Sequence, residues 1–144
     1  MEHLANNKYA RRLIKEWTQH KRIIIAVDFD DTISPWSLNT ADDCEKVIKL
    51  LKVAVSTGAY IVIFTACNTD RYSEIETYCA SKGLKIDSIN TNPINLPYGN
   101  QNKIYANIFL DDRAGLDESM QILEFAMYYI RGQQNYTNLI QQEF

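Results

Sequence analysis

The chain has 144 residues, 46% of them apolar, and a formal net charge of −3 from 15 Lys+Arg against 18 Asp+Glu. That length suits one domain with a sizeable core, and the composition excludes disordered and fibrous classes. The mildly acidic balance leaves no chain-wide electrostatic footprint for a long polyanion.

No apolar run approaches the ~18 residues of a membrane span, so no membrane partner is expected. The three cysteines, Cys44, Cys67 and Cys79, have neither the number nor the spacing of a disulfide framework or a zinc site. With a polar N-terminus that lacks a signal-peptide apolar region, these features predict a cytoplasmic protein.

Leu4, Tyr9, Leu13, Ile14 and Trp17 recur at helical spacing and predict an amphipathic helix over about 4–20. Lys8, Arg11, Arg12, Lys15, His20, Lys21 and Arg22 crowd the same stretch, either as a solvated helix face or as a docking surface for an anionic partner. From Arg22 to Asp28 the apolar run has no alternation and many β-branched residues, the pattern of a strand covered on both faces. A loop broken by Pro35 follows. Thr40 then caps a helix with Asp42 and Asp43 in its first turn, and Gly58 ends it.

Tyr60–Thr65 predicts a second buried strand, Thr69–Ser81 a helix and Ile86–Ile89 a short third strand. Ile104–Leu110 predicts a fourth strand and Leu116–Ile130 the closing helix. Strand and helix alternate four times, so the expected fold class is α/β. It is a three-layer, Rossmann-like parallel sheet of four to five strands flanked by helices. The chain is expected to be a single domain, 1–144. It consists of the N-terminal helix, a core over about 22–131 and a flexible Gln/Asn-rich tail over 133–144.

Ligands of such sheets sit beyond the carboxyl ends of the strands, and Asp28, Thr65 and Asp111 stand at three of those ends. Asp28-Phe29-Asp30-Asp31-Thr32 leaves the first strand with crowded carboxylates. They remain ionised together only beside a cation; otherwise one is driven to hold a proton. Either state suits a nucleophile, a metal ligand or a general acid, and the alternative is a polar turn whose aspartates cap backbone groups. Asp111 and Asp112 taken alone are equally consistent with a helix cap. Together with Asp28 they form an oxygen-only set that favours Mg²⁺ over zinc. Thr65, followed by Ala66, offers its hydroxyl and backbone N–H to a phosphate oxygen, and Lys103 precedes the fourth strand by one residue.

The order D-x-D-x-T (Asp28, Asp30, Thr32), strand-end Thr65, Lys103 and the acidic pair Asp111-Asp112 resembles the haloacid dehalogenase-like superfamily, over about Arg22 to Gly115. The resemblance implies a Mg²⁺-dependent phosphatase in which Asp28 attacks phosphorus and Asp30 serves as general acid and base. It implies that Asp28, the Asp30 backbone carbonyl, Asp111 and Asp112 hold Mg²⁺, while Thr65, Ala66 and Lys103 bind phosphoryl oxygens. The short intervals on either side of Thr65 leave no room for that family's cap domain.

An open site of this kind suits a large substrate or a lid lent by a second subunit, so a homo-oligomer is one expectation. The segment 90–102 is the candidate substrate loop, and Arg113 a further candidate for reaching a phosphate or an acid. The expected substrate is a phosphorylated small molecule or nucleotide. The alternatives are a phosphatase of nucleic-acid ends, which would use the basic N-terminal helix, and a non-catalytic binding or regulatory module.

Overall fold

In this computed structural model, which describes residues 2–93 and 103–143 and the side chains of 3–93 and 103–134, Ile23–Val27 forms the central strand β1. All five of its residues are buried, as an uninterrupted apolar run requires. β2 (Ala59–Ile63), β3 (Ser88–Ile89) and β4 (Ile108–Leu110) complete a four-stranded sheet in the order β3-β2-β1-β4, with every pairing parallel. The sheet is flanked by helices and, among the described residues, carries no cap domain. This is the expected α/β, Rossmann-like arrangement.

Register brings the functional edge into line. Val27 pairs with Ile63 on one side and with Leu110 on the other. Asp28 N–H then donates to Leu110 C=O (2.9 Å) and Phe64 N–H to Val27 C=O (2.8 Å), which carries both ladders one residue further. Asp28, Thr65 and Asp111 therefore leave the sheet at one edge.

The face bearing Ile23, Ile25, Val27, Ile61, Ile63 and Leu110 belongs to the main core. Helix α3 (Ala41–Ser56) covers it with Val47, Ile48, Leu51 and Ala54, and α4 (Tyr72–Ser81) with Ile75 and Cys79. Thr40 and Asp43 close a reciprocal capping box at the start of α3. A 3-10 turn, Thr69–Arg71, leads into α4.

Of the boundaries that differ from the sequence expectation, three have a clear local cause. The N-terminal helix is two helices, α1 (Glu2–Ala5) and α2 (Lys8–His20), because the Asn7 side chain accepts the N–H groups of Tyr9 and Ala10 and restarts the helix as an N-cap. The fourth strand begins at Ile108 rather than Ile104. Asn107 N–H donates to Ile24 C=O (2.8 Å), but its side-chain oxygen, not a backbone carbonyl, takes Ile24 N–H (2.7 Å), so regular strand pairing starts at Ile108. The closing helix α5 (Leu116–Glu143) does not stop at Ile130; its backbone stays helical through most of the expected tail, with no Gly-Pro signal to end it.

Helix α2 runs from the strand-end edge to the opposite edge. Near its end, Trp17 Nε1 donates to Thr57 C=O just past α3 (3.2 Å). Near its start, Tyr9 and Arg12 border Ala114 and Gly115, which follow β4. No described helix is long and apolar enough to cross a membrane.

Candidate active site

Asp28, Asp111 and Asp112 converge, each offering a carboxylate oxygen within 4.8 Å of the others. Asp28 follows β1 directly, and the acidic pair follows β4, the strand hydrogen-bonded beside it. Thr32 ties the two loops together. It is buried, and its hydroxyl lies 3.2 Å from Asp28 Oδ2 and 3.4 Å from Asp112 Oδ1, while Asp112 N–H donates to Thr32 Oγ1 (3.2 Å). Burial, the hydrogen bond shared with Asp112 and the negative charges of Asp111 and Asp112 push the Asp28 carboxyl up to about 7. The cluster is short of positive charge, a deficit that a hard divalent cation on oxygen ligands corrects.

Asp30 lies apart from this cluster. Arg71, on the 3-10 turn after β2, grips its carboxylate at both oxygens, NH1 to Oδ2 at 2.8 Å and NH2 to Oδ1 at 2.9 Å. The guanidinium also lies 5.4 Å from the Phe29 ring and 5.6 Å from the Trp36 ring. Phe29 is buried and meets Tyr78 edge-on, anchoring the turn between the two aspartates. The Asp30 carboxylate faces Arg71 and not the cluster, so the expected metal role of this residue rests on its backbone carbonyl alone. Arg71 escaped a reading confined to strand ends, although a cation six residues past Thr65 in a loop at the same edge was the available signal.

Asp31 is the one aspartate of the motif that acts as a turn cap. It is buried at a positive φ of 60°, and its Oδ1 accepts the N–H groups of Trp36, Ser37, Leu38 and Asn39 at 3.0–3.1 Å. These bonds hold its carboxyl well below the usual range. They also fold the 31–39 loop so that Trp36 and Leu38 stand exposed beside the edge.

Thr65 stands two residues past β2 rather than at its last position. Its backbone N–H, expected to meet a phosphate, donates instead to Asn90 Oδ1 (2.8 Å), and Asn90 Nδ2 donates back to Thr65 C=O (2.7 Å). The Thr65 hydroxyl and the exposed Ala66 remain at the edge. Lys103 is exposed and stands five residues before β4, because that strand starts late; it is not brought against the carboxylates by any described contact. Of the expected substrate loop 90–102, residues 94–102 lie outside the described residues. Arg113 is exposed, and its N–H donates to Asp111 Oδ1 (2.9 Å).

No family model and no curated protein sequence matches the chain. A solved structure does. It is described as a conserved protein coded by a locus from Bacteroides thetaiotaomicron, 24% identical, with a TM-score of 0.54 over 64% of this chain and 77% of its own. At that identity the likeness speaks for the fold alone, an α/β parallel sheet.

Proposed function

We propose that the chain is a Mg²⁺-dependent phosphohydrolase that cleaves a phosphomonoester through an aspartyl-phosphate on Asp28. The observation that carries this reading is the convergence of Asp28, Asp111 and Asp112 at the ends of two adjacent parallel strands. Three carboxylates in such proximity suit a hard cation, and Asp28, Asp111 and Asp112 would hold it. A cation bound there would offset negative charge on the phosphoryl oxygens and on the attacking carboxylate.

The chain's own groups supply the rest. An Asp28 oxygen attacks phosphorus as the bond to the leaving oxygen breaks, and Asp30 gives that oxygen its proton. Water then attacks the phosphoryl group, Asp30 takes the water's proton, and phosphate departs with Asp28 restored. Arg71 occupies both Asp30 oxygens, so a proton on Asp30 displaces one of those hydrogen bonds. The Thr65 hydroxyl and the Lys103 ammonium are the proposed phosphoryl-binding groups. Among the described residues Trp36 is 71% and Leu38 74% exposed beside this edge, and this favours a large substrate.

The test is phosphate release from a panel of nucleotides, sugar phosphates, phosphopeptides and phosphorylated DNA ends, with and without Mg²⁺. Release that requires Mg²⁺ and disappears in Asp28→Asn supports the reading. A wild-type protein that binds Mg²⁺ and hydrolyses none of these would instead be a non-catalytic binding module.

A further inference from the structure

Lys8, Arg11, Arg12 and Lys15 sit at i, i+3, i+4 and i+7 of α2, the spacing that lines side chains along one side of a helix. All four are exposed. None joins an ion pair among the described residues, whereas Arg71 and Lys82 both do. The first turn of α2 holds no acid, and Glu16, the one carboxylate within the helix, is engaged by Asn107 Nδ2 (3.2 Å). In a chain of net charge −3, four uncompensated cations on two turns are a local inversion of sign.

Their position gives the inversion a use. Because α2 starts at the strand-end edge, Tyr9 and Arg12 border the turn that follows β4, while Lys15 lies further along the helix beside Trp17. A cleft of about 350 Å³ opens there between Tyr9 and Arg12 of α2, Phe109 of β4 and the Ala114-Gly115 turn, with Glu118 as the single acid in its lining. That turn follows Asp111, Asp112 and the exposed Arg113 directly. Arg12 therefore lies beside the turn that follows the acidic pair. Tyr9 is 51% exposed, with Lys8 Nζ 5.3 Å and Arg12 Cζ 5.7 Å from its ring. An exposed ring among cations is the pairing that single strands use, base on aromatic and phosphate on cation.

We propose that this face of α2 docks the phosphodiester backbone of a nucleic-acid strand, and that the substrate class is a strand bearing a terminal phosphate. The proposal rests on the phosphohydrolase reading for the fate of that phosphate, but not for the docking itself. A lipid surface fits less well, because the apolar residues of α2 (Ala10, Leu13 and Trp17) are buried and leave no apolar face to enter a bilayer. From Lys8 to Lys15 the stripe runs about 10 Å, the rise of roughly three phosphates along one strand.

The experiment has two arms. In the first, fluorescence anisotropy follows binding of an unphosphorylated single-stranded 12-mer between 50 and 200 mM salt. About three neutralised phosphates give a log–log slope near −2. Arg11→Glu with Arg12→Glu abolishes measurable binding, and Lys49→Glu, a charge reversal of exposed α3 surface, leaves the slope unchanged. A flat slope, equal loss in both variants, or preference for anionic vesicles over the 12-mer would overturn the docking surface.

In the second arm, kcat/KM is compared for an end-phosphorylated 12-mer and its terminal mononucleotide. A preference for the 12-mer of about tenfold or more at 50 mM salt, lost in the double variant, supports the assignment; equal handling overturns it. Binding of the 12-mer without phosphate release from any ester would overturn the phosphohydrolase reading and, with it, the substrate assignment, but not the docking surface.

Discussion

Arg71 holds Asp30 by two parallel hydrogen bonds, 2.8 and 2.9 Å long, across 41 residues of sequence. A guanidinium makes this fork and also stacks between Phe29 and Trp36; an ammonium does neither. Arg71→Lys keeps the charge and loses the geometry, so it separates a role for charge from one in aligning the carboxylate. Both Arg71→Lys and Arg71→Ala are expected to lower kcat by on the order of 10–100-fold, the cost of a misplaced catalytic group, with a much smaller change in KM. Steady-state kinetics on any accepted phosphomonoester measures this. Wild-type kcat in Arg71→Lys would leave only the charge.

The raised Asp28 carboxyl makes stability depend on pH in a defined direction. Between the ordinary carboxyl value of 3.8 and about 7, the folded chain keeps a proton that the unfolded chain has lost. That stabilisation is present at low pH and disappears as pH rises through about 7. The metal-free protein is therefore expected to melt at a lower temperature at pH 8 than at pH 5.5. Mg²⁺, offsetting the ionised cluster, should raise the melting temperature more at pH 8. Thermal scans at both pH values, with EDTA or with 5–10 mM Mg²⁺ (roughly the concentration at which a weak oxygen site fills), decide it.

Asp28→Asn carries the same argument into activity. The amide cannot form the aspartyl-phosphate, so turnover should fall below detection. The substitution also removes one negative charge from a crowded, half-buried cluster. At pH 8 the metal-free variant should be more stable than wild type, by on the order of 1–2 kcal/mol once solvent screening at this edge is allowed for. At pH 5.5, about midway between 3.8 and 7, roughly half of that gain should remain, and it should vanish only as pH falls to about 3.8. An inactive variant that is less stable than wild type at pH 8 would mean that Asp28 supports the fold rather than straining it.

The parts of the fold that depend on burial along a continuous run were legible in the sequence. Ile23–Val27 and Ala59–Ile63 have no polar alternation because both faces are covered, and that put Asp28 and Thr65 at a common edge. Groups that act through side-chain geometry were not legible. Asn107 replaces a backbone carbonyl on Ile24, which no apolar pattern reports, so Ile104–Asn107 looked like strand. Asn7 is a good N-cap type, but it lies inside the helical spacing of Leu4 and Tyr9, which conceals the break. Among the motif acids, Asp28, Asp30 and Asp31 are alike in sequence and differ in partner: a carboxylate cluster, a guanidinium and four backbone N–H groups.

Asp31 supplies a contrast to its neighbours. Its carboxylate takes four backbone N–H groups and the Ser37 hydroxyl, so Asp31→Ala leaves those donors without their acceptor and should loosen the 31–39 loop. Amide exchange at Trp36 to Asn39 should accelerate, and the melting temperature should fall. The three-carboxylate cluster contains no Asp31 oxygen, so Mg²⁺ affinity by calorimetry should change little. A large loss of Mg²⁺ binding would show that the loop, and not only the strand ends, sets the cluster.

Asn90 is the least expected support of the edge. It adopts a positive φ of 56°, binds Thr65 through both N–H and C=O, and also donates to the Tyr72 hydroxyl (2.9 Å). Asn90→Ala removes all three side-chain bonds, at about 1–3 kcal/mol for groups left unpaired, and places an alanine in a left-handed conformation that costs a further 1–2 kcal/mol or so. Asn90→Gly removes the same bonds without the backbone penalty. The glycine variant should therefore melt between wild type and the alanine variant, while both shift the Thr65 amide resonance alike. Equal melting temperatures for the two would show that backbone conformation at position 90 contributes nothing. Unchanged Thr65 resonances would show that another group holds that N–H, and that Thr65 does not depend on Asn90 for its place at the edge.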